Sequence, residues 1–360
     1  MPGEYYLPIY LTVISLMTFY KCAYYSRADV VALDNRGAVN NSFSFLLALC
    51  VALFIGLRPQ ASCFVDSNNY IESYNAMEGN DFVFNPDATN FIFDNLFAWM
   101  ASHATGWPAF FLVIALIYFF GMWIACRKMF PRDAFVAFLT CLAAFSAFSY
   151  GTNGIKAGAA ASLFLIAVAY HKNLIVAALF LILSLGFHHS MVLPIAAFVL
   201  AYFYKNVKVY FLGWVVCLLL AMLHVSYFQT LLAGMADERG ADYLMSSGQD
   251  WGGKEGFRFD FVLYSAMPVL VGYWTVFRKK IVSRVYNFLL SIYLVTNGVW
   301  MLCMYANFTN RIAYLSWFLY PVVLIYPFLK EDWGANRYKT LAKVVCLHLL
   351  FTLFMNIVYY

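Results

Sequence analysis

Twelve apolar stretches recur along the 360 residues, near 5–21, 42–57, 108–126, 134–150, 157–170, 174–187, 190–204, 209–227, 261–277, 286–306, 312–329 and 341–358. Each approaches the roughly 20 residues that a helix needs to cross the hydrocarbon core of a bilayer. None alternates apolar with polar in the manner of a membrane β-strand, and hydrocarbon admits only helices or closed barrels. The chain therefore reads as an all-α polytopic membrane protein of about 12 transmembrane helices, with 1–360 forming a single transmembrane helical domain. Composition agrees: 64% of residues are hydrophobic and 11% charged, where a soluble domain carries about a quarter charged. The opening MPGEYYLPIY has neither a basic n-region nor a small-residue cleavage site, and reads as the first span.

The stretch 174–204 decides the topology. Its middle carries His188, His189 and Ser190 with Pro194 beyond, which predicts a break and two short or tilted helices. With that break and an outer N-terminus, all but six of the 23 basic residues fall in inner loops, as the positive-inside rule requires. Merging the two helices would place Lys205, Lys208 and the Arg278–Arg284 cluster opposite Arg127–Arg132. Two large loops then face outward, 58–107 and 228–260. The first is acidic, with Asp66, Glu72, Glu78, Asp81, Asp87 and Asp94. Phe91, Phe93, Leu96, Phe97 and Trp99 within it predict a short amphipathic helix at the interface, or one that merely shields the bundle. The second, rich in glycine and mixed charge, fits a gating segment.

The six outward cations are Arg58, Lys156, Arg239, Lys254, Arg258 and Arg311. Four of them, Arg58, Lys156, Arg258 and Arg311, stand at predicted helix ends, where a cation at the membrane boundary is costly unless partnered. Helix N-termini near Lys156, Arg258 and Arg311 add positive potential and free N–H groups. If these groups converge they suit a dense anion, and phosphate is the natural guest for arginine. Taken singly, each also fits a cation that snorkels to headgroups or pairs with a loop carboxylate. The tandem His188 and His189 beside a helix break suit a general base or phosphate partner. On a helix they would diverge by about 100°, so one would be structural. His103, His171, His224 and His348 read as structural.

The span interiors hold no Asp or Glu, and only Asp260 sits at a boundary, which weakens an ion-coupled carrier. No HExxH, CxxC, GxSxG, GxGxxG or Walker A pattern occurs, so no metal, nucleotide or other cofactor and no nucleic-acid partner is expected.

Several ordered segments carry a resemblance: GLRPQASCFVDSNNYIESY, NGIKAGAAASLFLIA, GFHHSMVLPI, DERGADYL, FRFDFVLYSAMPVL and TNRIAYLSWFLYPVVLIYPFL. Together they resemble the EpsG-like branch of the Wzy-type bacterial polysaccharide polymerases, which act in O-antigen, capsule and exopolysaccharide synthesis. Two departures stand out: Lys156 occupies a position where the family's segment carries Arg, and bulkier residues replace a glycine between Arg58 and Asp66. The resemblance implies a glycosyltransferase-C-like bundle in the bacterial inner membrane with its active site facing the periplasm or exterior. It implies a metal-independent transfer of a growing glycan from undecaprenyl diphosphate to another lipid-linked repeat unit. The undecaprenyl-diphosphate-linked oligosaccharide and the lipid bilayer are then the partners, with a chain-length regulator and a flippase of the same pathway beside them. On that reading Arg58, Arg258 and Arg311 bind the diphosphate with Lys156 in support, and His188 is the base with His189 as alternate. Asp66 and Tyr70 orient a cation or contact sugar, Asn310 and Asp260 line the site, and Arg239 and Tyr243 close from the second loop. A lipid-linked glycan ligase or single-addition glycosyltransferase would use nearly the same residues. A lipid-glycan transporter would move substrate without making a bond, and a membrane O-acyltransferase would need an acyl donor.

Overall fold

Every apolar run becomes helix in the computed structural model, which describes residues 1–27, 37–225, 227–233, 245, 256–306 and 309–359. In chain order the helices are α1 (Tyr6–Arg27), α2 (Gly37–Gly56), α3 (Val65–Met77), α4 (Phe91–Ser102), α5 (Trp107–Met129) and α6 (Ala134–Leu142). There follow α7 (Ala147–Thr152), α8 (Ile155–Ala169), α9 (Leu174–Phe187), α10 (Val192–Phe203), α11 (Val207–Met222) and α12 (Tyr227–Ala233). The last five are α13 (Phe259–Tyr273), α14 (Arg284–Leu302), α15 (Thr309–Trp317), α16 (Tyr320–Lys330) and α17 (Arg337–Phe354). No strand occurs among the described residues. Among the described residues six helical segments are long and apolar enough to cross a membrane: Gly3–Arg27, Trp107–Met129, Phe259–Arg278, Arg284–Leu302, Thr309–Lys330 (α15 and α16 taken together) and Arg337–Tyr359. Five more apolar helices are shorter, at 10–17 residues. The chain is a multi-pass helical membrane protein.

Three sequence expectations change in detail. The run 134–150 is not one helix but two, α6 and α7, and the run 312–329 divides into α15 and α16. The segment 58–107, expected as a large loop, is largely helical, carrying both α3 and α4. The expected break at His188 is present: α9 stops at Phe187, a 3-10 turn covers His189–Met191, and α10 follows.

The helices group into two units, Met1–Val192 with Phe328–Tyr360, and Leu193–Pro327. In the first, α8 is the central helix, buried almost throughout from Gly158 to Val168. Its small residues let neighbours approach, as membrane helix packing demands. The Ser162 hydroxyl donates to the Ile117 carbonyl of α5 at 3.1 Å, and Ser184 of α9 donates to the Ala160 carbonyl at 2.7 Å. The break after α6 exposes carbonyls where hydrocarbon cannot solvate them. Side chains from α1 and α17 supply the donors: Tyr10 Oη to Leu142 O at 2.7 Å, Thr352 Oγ1 to Ala143 O at 2.8 Å, and His348 Nε2 to Thr140 O at 3.1 Å. His348 is thus structural, as its isolation in the sequence suggested.

The second unit is organised around Asn297 of α14. Its Oδ1 accepts from Trp214 Nε1 at 2.8 Å, and its Nδ2 donates to Ser265 Oγ and Ser316 Oγ, each at 3.0 Å. Ser265 Oγ also accepts from Trp317 Nε1 at 2.8 Å. One buried amide thereby ties α11, α13 and α15 to α14, with both amide protons donated and the oxygen accepting.

Candidate functional site

Arg58 follows the end of α2 and precedes Pro59, whose ring disfavours helix for the residue before it. The chain turns there and the guanidinium folds inward, leaving the residue 2% exposed. Nη1 donates to the Ile55 carbonyl at 3.0 Å, and Nη2 donates to Ser67 Oγ at 2.7 Å and Thr152 O at 2.8 Å. Ser67 Oγ donates to the same Thr152 carbonyl at 2.6 Å. The Phe111 ring lies 4.3 Å from Cζ and the Phe64 ring 5.7 Å. Arg58 is therefore a clamp between the end of α2, the start of α3 and the end of α7. All its hydrogen-bond partners are neutral, its buried Nε has no partner, and among the described residues no carboxylate pairs with it. Burial lowers its pKa to about 10, with the nearby Tyr6 acting in the opposite direction, so the group stays charged at neutral pH.

From Thr152 the chain turns through Asn153 and Gly154 into α8, placing Lys156 in the first turn. A Cβ on Gly158 would stand 2.6 Å from the Tyr150 carbonyl, so only glycine lets α7 and α8 close this tightly. Lys156 Nζ lies 5.7 Å from the ring of Phe93. That buried ring joins several expected site residues. Tyr70 contacts it at 5.9 Å, and Phe187, which immediately precedes the two histidines, at 6.3 Å. Asp66 is half-buried in the first turn of α3, next to Ser67.

The tandem histidines depart from expectation because neither lies in regular α-helix. His188 is extended, with φ −153° and ψ 118°, and the two imidazoles stack at 5.5 Å with a 29° interplanar angle. The divergence expected of helical neighbours does not apply, and both rings sit side by side. The Ser190 backbone N–H donates to His188 Nδ1 at 3.2 Å, with the Ser190 hydroxyl at 2.9 Å. An amide can only donate, so in neutral His188 the proton resides on Nε2. The His189 backbone N–H donates to Asn90 Oδ1 at 3.2 Å, while Asp94 Oδ2 accepts from the Asn90 N–H at 3.0 Å. The break thus docks onto the start of α4, and a Cβ on Gly186 would lie 2.6 Å from the Ile92 side chain.

The first unit therefore gathers Arg58, Tyr70, Lys156, His188 and His189 through Ser67, Thr152, Phe93 and Asn90. Of these four, Phe93 was read from the sequence only as part of an amphipathic helix, and Ser67, Thr152 and Asn90 did not stand out. Only the adjacency of Ser67 to Asp66 and of Asn90 to the α4 aromatics offered a signal.

In the second unit, Arg258 precedes α13 as expected, and its guanidinium pairs with Asp260, Nε to Oδ1 at 3.0 Å and Nη2 to Oδ2 at 2.6 Å. Its Cζ lies 3.6 Å from the Phe261 ring, and its backbone N–H donates to Met304 Sδ at 3.3 Å. The two expected substrate contacts hold each other, which largely compensates the Arg258 charge. Asn310, half-buried, and Arg311, exposed, open α15, whose first residue Thr309 accepts from Trp300 Nε1 at 2.9 Å. Arg239 and Tyr243 lie outside the described residues.

No curated protein and no solved structure matches the chain. The EpsG family model, in contrast, matches residues 41–360, a span that includes Arg58, the α7–α8 turn, the broken α9–α10 junction and the α13 and α15 starts. The chain belongs to the EpsG family.

Proposed function

We propose that this protein is a polysaccharide polymerase of the bacterial cytoplasmic membrane, with about twelve helical crossings and its site on the outer side. It transfers a growing glycan from undecaprenyl diphosphate to a hydroxyl of another lipid-linked repeat unit. The observation that carries this reading is Arg58: a guanidinium withdrawn from water, with neutral acceptors only. A buried charge without a counter-charge is costly, and an anionic substrate group would relieve that cost. Lys156, across the α7–α8 turn that Arg58 braces, adds a second positive charge.

The acceptor hydroxyl oxygen attacks the anomeric carbon of the donor sugar. The bond from that carbon to the diphosphate oxygen breaks, and undecaprenyl diphosphate leaves with the electron pair. Arg58 and Lys156 stabilise the charge that grows on the leaving oxygen, an effect worth roughly 10²–10³ in rate for one well-placed donor. His188, whose Nδ1 is occupied by the Ser190 amide, serves as a donor through Nε2–H. With Nδ1 of the expected base His188 so occupied, the hydroxyl proton passes instead to the alternate, His189, a general-base contribution of roughly 10²–10⁴. Asp66 and Tyr70 on α3 contact the sugar beside the diphosphate. The mechanism calls on no metal.

Purified protein in lipid nanodiscs, given a synthetic undecaprenyl-diphosphate-linked repeat unit, should release undecaprenyl diphosphate and lengthen the glycan. Substitution Arg58→Ala or His189→Ala should stop both. Transfer of one unit without further lengthening would make the protein a ligase. Intact substrate recovered on the opposite leaflet would make it a transporter.

A further inference from the structure

The helical pair α3–α4 and the connection between them form an ordered cap on the first unit with chemistry of its own. Asn85 and Asn95 bond reciprocally: the Asn85 N–H donates to Asn95 Oδ1 and Asn95 Nδ2 to the Asn85 carbonyl, both at 2.8 Å. The Gly79 N–H donates to the Ala101 carbonyl at 3.3 Å, fastening the start of the connection to the end of α4. This scaffold holds apolar side chains outward. Val83 is 76% exposed and Phe84 54%, and Phe82, Phe91 and Trp99 are exposed too. Phe84 and Phe91 meet edge to face at 5.5 Å. No Lys or Arg occurs from 59 to 126, whereas Glu72, Glu78, Asp81 and Asp87 are all exposed.

We infer that this aromatic ridge is a second carbohydrate-binding surface that holds the growing polymer away from the reacting groups. We further infer that the polymer is uncharged or bears amino sugars rather than uronic acids. The inference rests on the polymerase reading. A pyranose ring presents an apolar C–H face that suits an aromatic ring, whose π face is negative. A protonated amino sugar adds cation–π attraction and finds carboxylates around the ridge. A uronate instead meets the exposed carboxylates Glu72, Glu78, Asp81 and Asp87 of the same segment, a repulsion that salt screens over a Debye length of about 8 Å at physiological strength. The same acidity disfavours an anionic lipid surface, which attracts basic segments. A tethered second contact raises the local concentration of the polymer end, which lengthens products without changing the chemistry.

The full chain in nanodiscs would be titrated with three hexasaccharides: maltohexaose, a chitosan hexamer and an oligogalacturonate hexamer. The first two should bind, and oligogalacturonate should bind about tenfold more weakly at low salt, the gap closing as salt rises. The double substitution Phe84→Ser with Trp99→Ser should weaken maltohexaose about tenfold, which is about 1.4 kcal/mol shared by the two rings. It should shorten the products while leaving the first transfer and the unfolding temperature unchanged. Equal binding of oligogalacturonate, or undiminished binding and product length in the double variant, overturns the inference. So does a photo-crosslinking residue in place of Phe84 that captures lipid rather than oligosaccharide. Sugar binding in the expected order without any transfer would sink the polymerase reading and leave the surface standing. Transfer with no sugar binding at the ridge would do the reverse.

Discussion

Substituting Arg58→Met separates structure from chemistry at the site, because methionine keeps the stem's bulk and removes the charge. Three hydrogen bonds disappear, to Ile55 O, Ser67 Oγ and Thr152 O. Bonds from a charged donor contribute about 1.5–3 kcal/mol each. Against that loss stands the removal of a buried charge, whose desolvation costs several kcal/mol. Thr152 O also keeps its bond from Ser67. The folding change should therefore stay within about 1–3 kcal/mol, since large terms of opposite sign nearly cancel. Activity has no such cancellation: losing one preorganised donor should cut turnover about 10²–10³-fold, or roughly 3–4 kcal/mol of barrier. A ligand readout isolates the cause. Inorganic pyrophosphate at a hundredfold excess over its Kd should stabilise the wild-type protein by about 2.7 kcal/mol. In detergent this appears as a higher unfolding temperature, and Arg58→Met should show no rise. An unaltered pyrophosphate shift in the variant, or long polymer made at the normal rate, would refute the assignment of Arg58 to the anion.

Three further outcomes follow from contacts already described. Asn90→Ala should leave the His189 amide without its acceptor and slow turnover about tenfold, whereas Asn90→Asp, which keeps an acceptor oxygen, should recover most of it; steady-state rates on both variants decide this. Asp260→Ala should destabilise by about 3–5 kcal/mol because it strands the buried Arg258, and adding Arg258→Met should restore much of the loss in thermal unfolding. A double-mutant cycle with no coupling would show that the pair is not held as described. Gly186→Val should lower stability by about 1–3 kcal/mol through overpacking against Ile92, with Ile92→Ala restoring it.

The sequence carried the placing of the helices and their ends well. Arg58, Lys156, Arg258 and Arg311 all stand at helix ends where hydropathy put them, and the chain breaks at His188 as its polar triplet implied. Those features are local, set by where an apolar run of sufficient length begins and stops. The split of 134–150 was not visible, since Ala143, Ala144 and Phe145 are as apolar as their neighbours. Its cause lies more than 200 residues away, in the donors His348 and Thr352 that satisfy the freed carbonyls.

The site divides along the same line. Residue types and their places at helix ends were set by composition and the apolar periodicity, which act within a few turns of chain. Partners were not. That Arg58 would bond Thr152, 94 residues on, or that His189 would lean on Asn90, 99 residues back, depends on which helices pack together. Arg258 and Asp260, two residues apart, are the local exception, since the start of α13 alone pairs them. Hydrophobic burial is additive along the chain and so can be read from it. Hydrogen bonds and ion pairs need ångström placement of groups distant in sequence, and tertiary packing alone supplies that.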